Sequence, residues 1–351
     1  MKYLFYAMIL ITGLCCSVAA QGREGGIQPQ KQEDSQYLKL VQKIPLPGVE
    51  GRIDHMSVDV KGKRLFMAGL GNGTVEVIDL DAGKPIHSIT GLGDPQAALY
   101  VPETNLIFVA DGDHNAVYVY DGATYQLIRT VPSLENADNL RIDRRSIRTY
   151  GVPMVIVGYG EDAKSALRAM DSRDGKPMWE IPLDGHPESF QLEKTVDGKI
   201  FINIPTAGHV AVVQERKRRV TEKWPMPEFK PFYPMALDEA NHRVFIGSRV
   251  PPKLVVFDGK SGQRVTTVDG VAQADDLFYD AAHKRLYMSS GEGVIGVFEQ
   301  RDADHYELVA KIPSVPGAPT SLFVPEFNRL YVPAPSYEGQ PTTVLVYEAQ
   351  P

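Results

Sequence analysis

The sequence predicts an all-β fold, a seven-bladed β-propeller of four-stranded antiparallel blades. Three observations predict it. One strand-and-turn pattern recurs along the chain, and its copies are spaced by roughly 42 to 50 residues, a period expected of propeller blades. The last repeat is one strand short, and a matching strand lies near the N-terminus.

The recurring pattern is clearest in residues 74–84, TVEVIDLDAGK. Apolar and polar residues alternate, and Asp79 and Gly83 then supply a turn, which is typical of a β-hairpin with one buried face. Similar segments occur at 116–122, 166–171 and 253–259, and weaker ones occur at 209–214, 294–299 and 343–348. A chain that repeats one such unit is predicted to be a repeat architecture.

The repeats divide the chain into seven predicted blades. Their ranges are 56–89, 97–131, 139–181, 189–224, 235–268, 277–312 and 321–347. The segment VQKIP at 41–45 resembles VAKIP at 309–313, which ends the sixth blade. We therefore expect a strand at 37–45 to complete the seventh blade and to close the ring through main-chain hydrogen bonds.

The N-terminal segment predicts export. Met1–Ala20 has a positive Lys2, a short apolar run and small residues before Gln21, which together are typical of a secretory signal peptide. Residues 21–36 are polar and predict a flexible leader, so the propeller is expected to span 37–351. We expect a periplasmic or secreted protein, a monomer, without a membrane span in the mature chain.

Composition excludes several kinds of site. Both cysteines, Cys15 and Cys16, lie in the predicted signal peptide, so the mature chain is expected to contain no disulfide and no cysteine-ligated metal. The net charge of -7 disfavours binding to nucleic acid or to anionic lipid, which requires a basic surface. The strongest basic run, at 215–219, is predicted to be a solvated hairpin, and the second basic stretch is 141–148.

Two segments resemble a known family. RLFMAGLGNGTVEVIDLDAGKPIHSI at 64–89 and RLYVPAPSYEGQPTTVLVYE at 329–348 look like the YVTN-repeat, YncE-like β-propellers. The resemblance covers nearly all of the predicted mature chain, although the third and fourth repeats fit it poorly. It implies export and a ring of blades, and it implies little about chemistry because many functions share the propeller scaffold.

Propeller topology places two sets of loops on one face, around the mouth of the central channel. Leading loops precede the first strand of each blade, and middle loops join its second and third strands. Polar or aromatic residues of the leading loops are Arg52, Asp54, His55, Asp94, Gln96, Asp138, Asn139, His186, Glu188, Phe232, Tyr233, Asp275, Asp276 and Thr320. Those of the middle loops are Asn72, Asp111, Asp113, His114, Glu161, Asp162, His209, Arg249, Glu292 and Tyr337.

These loops predict a binding face. We expect the ligand-binding residues to include Asp54, His55, Gln96, Asp138, Asn139, His186, Glu188 and Asp276. Converging carboxylate and amide oxygens suit Ca²⁺, whereas mixed histidine and carboxylate ligands suit a transition metal. A small-molecule or peptide site and a metal-free rim remain open, because Asp and Asn also serve as turn residues.

The sequence therefore predicts an exported binding or scaffold module that acts through the channel-mouth face. The partner is an unspecified small molecule, peptide or protein. The alternative is a lactonase-like hydrolase, in which Arg52 polarises a carbonyl and His55 or Glu188 is the general base.

Overall fold

The computed structural model of the protein describes residues 36–195 and 198–351. The predicted signal peptide and almost all of the predicted leader lie outside these residues. Strand β1 (Leu38–Pro45) is followed by seven sets of strands that form seven separate four-stranded sheets, with β1 belonging to the last of them. The prediction of a seven-bladed propeller is confirmed.

The first four blades contain sixteen consecutive strands. They are β2 (Met56–Asp59), β3 (Arg64–Gly69), β4 (Thr74–Asp79) and β5 (Lys84–Ile89); β6 (Pro95–Val101), β7 (Leu106–Asp111), β8 (Ala116–Asp121) and β9 (Leu127–Pro132); β10 (Leu140–Asp143), β11 (Met154–Tyr159), β12 (Ala166–Asp171) and β13 (Pro177–Pro182); and β14 (Phe190–Leu192), β15 (Lys199–Ile204), β16 (His209–Gln214) and β17 (Arg219–Pro225).

The remaining strands form blades five to seven. They are β18 (Phe232–Asp238), β19 (Arg243–Arg249), β20 (Pro252–Asp258) and β21 (Arg264–Asp269); β22 (Ala274–Asp280), β23 (Arg285–Ser290), β24 (Val294–Gln300) and β25 (Tyr306–Pro313); and β26 (Leu322–Val324), β27 (Arg329–Ala334) and β28 (Thr343–Ala349). One α-helical turn among the described residues, α1 (Ile147–Tyr150), lies between β10 and β11 of the third blade. Among the described residues, no helix is long and apolar enough to cross a membrane.

The turns between the third and fourth strands of the first, second and fifth blades follow from the residues that the pattern supplied. Asp79 Oδ1 accepts hydrogen bonds from the backbone N–H groups of Asp81 and Ala82. Gly83 then adopts a φ of +63°, a conformation that side chains with a Cβ rarely adopt. Asp121 and Asp258 make the same contacts at the equivalent turns. The aspartates of the repeat are therefore turn residues.

The core lies between the blades. Each pair of neighbouring blades shares a hydrophobic cluster, because apolar residues on both faces of the middle strands pack against the next sheet. Trp179 lies in the cluster between the third and fourth blades. The first strand of every blade lines the central channel.

Strand β1 closes the ring as the sequence predicted. It pairs antiparallel with β28, so the seventh sheet has the order β1-β28-β27-β26. Ile44 of β1 is fully buried in the cluster between the seventh and first blades. The closing strand therefore contributes apolar packing as well as main-chain hydrogen bonds.

A substitution in β1 tests this closure. Ile44→Ala is expected to lower the free energy of unfolding by about 2–4 kcal/mol, because it leaves a cavity between two blades. Val41→Ala is the matched control, since Val41 lies in the same strand with 38% of its surface exposed, and a change within about 0.5 kcal/mol is expected. Urea unfolding measures both, and equal small losses would contradict closure by β1.

Candidate functional site

A cavity of about 660 Å³ lies at the end of the channel where the leading and middle loops meet. Its polar lining comes from several blades. The charged, polar and aromatic residues that line it are Arg52, Asp54, His55, Gln96, Asn136, Asp138, His186, Glu188, Tyr233, Arg249, Gln273, Asp275 and Ser336. His55 also lines the channel itself, whose volume is about 1160 Å³. The imidazole therefore lies at the boundary between the cavity and the channel.

The structure brings most of the expected binding residues together. Asp54, His55, Gln96, Asp138, His186 and Glu188 line the cavity, as does Arg52. Asn139 and Asp276 contact His55 instead. Other loop residues have structural roles: the buried Asp111 accepts hydrogen bonds from the backbone of Gly93 and Asp94 and from His114.

A chain of hydrogen bonds crosses the channel through His55. Arg141 Nη1 donates to Asn139 Oδ1 at 2.7 Å, and Asn139 Nδ2 lies 3.0 Å from His55 Nε2. On its other side, His55 Nδ1 lies 3.3 Å from Asp276 Oδ2, which also accepts a hydrogen bond from the backbone N–H of Ser321. The imidazole is thus held between the first, third, sixth and seventh blades.

Two opposing effects set the protonation of His55. Burial lowers its pKa, but the carboxylates of Asp276 and Asp54 outweigh burial and raise the pKa to about 10. The Asn139 N–H that faces Nε2 favours the neutral ring instead. Protonation would let Nε2 donate to Asp54 Oδ1, 3.6 Å away, which accepts no hydrogen bond from the described residues. The net effect of these surroundings is a raised pKa of His55.

Arg52 and Arg249 flank one carboxylate on the cavity wall. Asp275 lies 3.5 Å from Arg52 Nη2 and 3.1 Å from Arg249 Nη2. Arg249 is fixed, because its Nε donates to the carbonyl of Ala274 and its guanidinium stacks over Tyr233 at 4.2 Å. The side chain of Arg52 donates to Asp54 and remains 53% exposed.

A second cluster of ionisable side chains lies on the leading loops of the third and fourth blades. One ligand atom from each of Asp138, His186 and Glu188 lies within 4.8 Å of the others. Burial and the negative charge of Asp138 raise the pKa of Glu188 to about 8, while His186 opposes this shift. Burial would raise the pKa of Asp138 as well, but the hydrogen bond and charge of His186 lower it. Two carboxylates and an imidazole thus share one partly buried pocket.

Arg141 is a site residue that the sequence interpretation grouped with a basic stretch. Two neighbouring arginines form ion pairs with other residues: Arg144 pairs with Glu103, and Arg145 pairs with Asp143 and Glu215. Arg144 also lines the channel, but of these three arginines only Arg141 donates to Asn139, and it donates to Ser189 as well. The alternation of strand β10, with Leu140 in the core, was the signal that separated it from the others.

Comparisons with known proteins support the fold. No family model and no curated protein sequence matches the chain. A chain in a structure of hydrazine synthase from Kuenenia stuttgartiensis has a TM-score of 0.72 at 14% identity, covering 86% of this chain and 98% of that one. A chain in a crystal structure of the mitotic checkpoint complex has a TM-score of 0.71 at 12% identity, covering 98% and 99%.

Identities this low show the fold alone. Both comparisons agree with a β-propeller, whose repeated blades serve many functions. Membership of the YVTN-repeat family stays a prediction.

The protonation of His55 predicts a pH dependence of stability. An unfolded chain releases this proton near pH 6.5 and the folded protein retains it to about pH 10, so the stabilisation is fully present below pH 6.5 and is lost as the pH rises to 10. Between pH 7 and 9, His55→Gln should reduce the downward slope of the unfolding free energy by up to about 1 kcal/mol per pH unit. The full value is an upper bound, because burial raises the pKa of Asp54 to about 8 and the charge of His55 opposes this shift.

Urea unfolding at several pH values, with a chelator present, measures this slope. Asn139→Ala is the control, because it keeps His55 and both carboxylates and should retain the slope of the unchanged protein. A slope that His55→Gln leaves unaltered would show that the imidazole is neutral.

Proposed function

We propose that this propeller is a binding module whose channel-mouth cavity takes a small polar ligand with at least one anionic group. The observation that carries the proposal is the cavity of about 660 Å³, into which the leading loops direct ionisable side chains. A pocket of this size with a few convergent polar groups is typical of small-molecule sites. We also propose export, on the basis of the predicted signal peptide at Met1–Ala20.

Arg52 supports the anionic part of this ligand. A guanidinium has five N–H donors, and among the described residues Arg52 donates one hydrogen bond, to Asp54. The donors that remain lie on the cavity wall, where they suit a carboxylate or phosphate oxygen. Arg249 and the ring of Tyr233 provide a rigid second wall.

The carboxylates of the cavity restrict the ligand further. Asp138 and Glu188 line the same cavity as the arginines and would repel a second anionic group unless a cation bound beside them. A ligand with separate acceptor and donor ends fits this distribution better than a polyanion. The mixed charge also disfavours nucleic acid.

A ligand screen with matched arginine variants tests the binding proposal. The panel contains mono- and dicarboxylic acids, amino acids and sugar phosphates, with neutral sugars for comparison. A ligand at about 100 times its Kd should stabilise the protein by about 2.7 kcal/mol, which raises the Tm by several degrees. Arg52→Ala should abolish this shift.

Arg301→Ala is the control variant. Arg301 is 56% exposed and pairs with Glu299 and Glu307, as Arg52 pairs with two carboxylates, but it does not line the cavity. Stabilisation by anionic compounds that survives Arg52→Ala, or stabilisation by neutral sugars alone, would contradict the proposal.

A hydrolase is the second candidate, and one observation favours it. Glu188 lines the cavity with a pKa raised to about 8, which is near the value suited to a general base or acid at neutral pH. His55 fits this role less well. Its Nε2 faces the Asn139 N–H when the ring is neutral and carries a proton when the ring is charged, so in neither form is a lone pair free.

Assays on a panel of lactones test this candidate. We expect any turnover to fall by at least about a hundredfold in Glu188→Gln, the order of loss caused by removing a general base. Glu292→Gln is the control, because Glu292 is exposed on a middle loop and does not line the cavity. Turnover that Glu188→Gln leaves unchanged, or no turnover on any lactone, would exclude the hydrolase.

A further inference from the structure

The geometry points to a binding site for a divalent first-row transition metal ion, formed by Asp138, His186 and Glu188. The proposal does not depend on the ligand proposed for the cavity. Within residues 36–195 and 198–351, Asp138, His186 and Glu188 form the group in which three histidine or carboxylate ligand atoms lie within 4.8 Å of one another. Tetrahedral ligand atoms at about 2.0–2.2 Å from an ion lie about 3.3–3.6 Å apart. His186 Nε2 and Asp138 Oδ2 already lie 3.6 Å apart. The other separations are at most 4.8 Å and would close by up to about 1.5 Å when an ion binds.

His186 has the orientation of a metal ligand. Its Nδ1 lies 2.6 Å from the carbonyl oxygen of Gly160, which can only accept, so Nδ1 carries a proton. In the neutral ring Nε2 then holds the lone pair, and this atom faces Asp138 Oδ2 at 3.6 Å. A ligating imidazole usually donates its other N–H to a carbonyl or carboxylate in this way.

The carboxylate of Glu188 lacks a partner. No described residue donates a hydrogen bond to it, although it is partly buried in the cavity wall. Leaving a carboxylate without a donor or cation in such a place is unfavourable. Asp54 Oδ1, which is also buried and without a hydrogen bond from the described residues, lines the same cavity. An ion at the cluster would give Glu188 the partner that it lacks.

The backbone holds the three side chains in place. Asp138 N–H donates to the carbonyl of Gly158, and Glu188 N–H donates to the carbonyl of Asn203, so each ligand is anchored to the second strand of its own blade. Pro187 packs against Gly158, where an added Cβ would lie 3.0 Å from Pro187 Cγ. The loop between His186 and Glu188 is therefore fixed by packing before any ion binds.

The ligand types decide between metals. Calcium takes oxygen ligands, usually six to eight. An imidazole nitrogen with two carboxylates suits Zn²⁺, Mn²⁺ or Fe²⁺ instead. Three protein ligands leave coordination positions that open into the cavity, as in metal sites that bind a water or an exogenous ligand. The site would thus be open to small molecules.

Titration with Zn²⁺ of the full-length protein, freed of metal with a chelator, tests the proposal. We expect the unchanged protein to bind one Zn²⁺ per chain. Glu188→Gln and His186→Ala should each bind Zn²⁺ at least about tenfold more weakly. Mutating a residue that only hydrogen-bonds to a metal ligand already costs about this much affinity. At a Zn²⁺ concentration near the Kd of the unchanged protein, Zn²⁺ should also raise the Tm of that protein by clearly more than the Tm of Glu188→Gln.

His209→Ala is the matched control. His209 has the same kind of surroundings, with Nδ1 3.3 Å from the carbonyl of Ala207 and Nε2 3.3 Å from Asp184 Oδ1, but it does not line the cavity. The His209→Ala variant should keep the bound Zn²⁺. Equal Tm values in chelator for Glu188→Gln and the unchanged protein show that the variant is folded.

Three outcomes would overturn the site. They are no Zn²⁺ binding by the unchanged protein, binding that survives both Glu188→Gln and His186→Ala, and a preference for Ca²⁺ over Zn²⁺ in direct competition. Loss of Zn²⁺ in His209→Ala alone would place the ion elsewhere and would overturn it too.

Discussion

The pairing of β1 with β28 is the constraint on which the rest of the structure depends. It joins the two ends of the described chain in one sheet, so that the seventh blade has four strands like the others. A closed ring fixes the position of every blade around the axis, and because the seventh blade has the same four strands as the others, only short, protected edges remain. The leading loop of the first blade is thereby held against the sixth blade, where His55 meets Asp276 across 221 residues of sequence.

Closure also crowds charge around the axis. Loops from different blades converge there, and a buried charge is stable only when another group pairs with it. Most partners come from another blade: Asn139 and Asp276 for His55, and Asp275 for Arg249. The network therefore links blades to one another. Where pairing is incomplete, at Asp54 Oδ1 and Glu188, the deviation is typical of a functional site rather than of a structural network.

The sequence was sufficient for the fold and for the composition of the face, because both follow from local rules. Alternation defines the strands, the repeat length defines the blades, and blade topology places every leading loop at the channel mouth. Pairings were not predictable, because they join distant positions such as His55 and Asp276. Arg141 was obscured by the basic residues beside it. The sequence signal for His186 and Glu188 was weaker. His186 precedes Pro187, and a residue before proline favours an extended backbone. In an extended backbone, residues two positions apart, such as His186 and Glu188, lie on the same side.

The two ends of the channel differ in how far their polar groups are already satisfied. On the channel wall, Asp59 accepts hydrogen bonds from Gly62 and Arg64, and Asp280 accepts from His283 and Tyr287. These carboxylates already accept hydrogen bonds from the residues of their own turns and hairpins. At the mouth, Arg52 retains free donors and Glu188 lacks a donor among the described residues. Because unpaired groups supply affinity only where a ligand can reach them, they support the proposal that recognition takes place at the mouth rather than in the larger channel below His55.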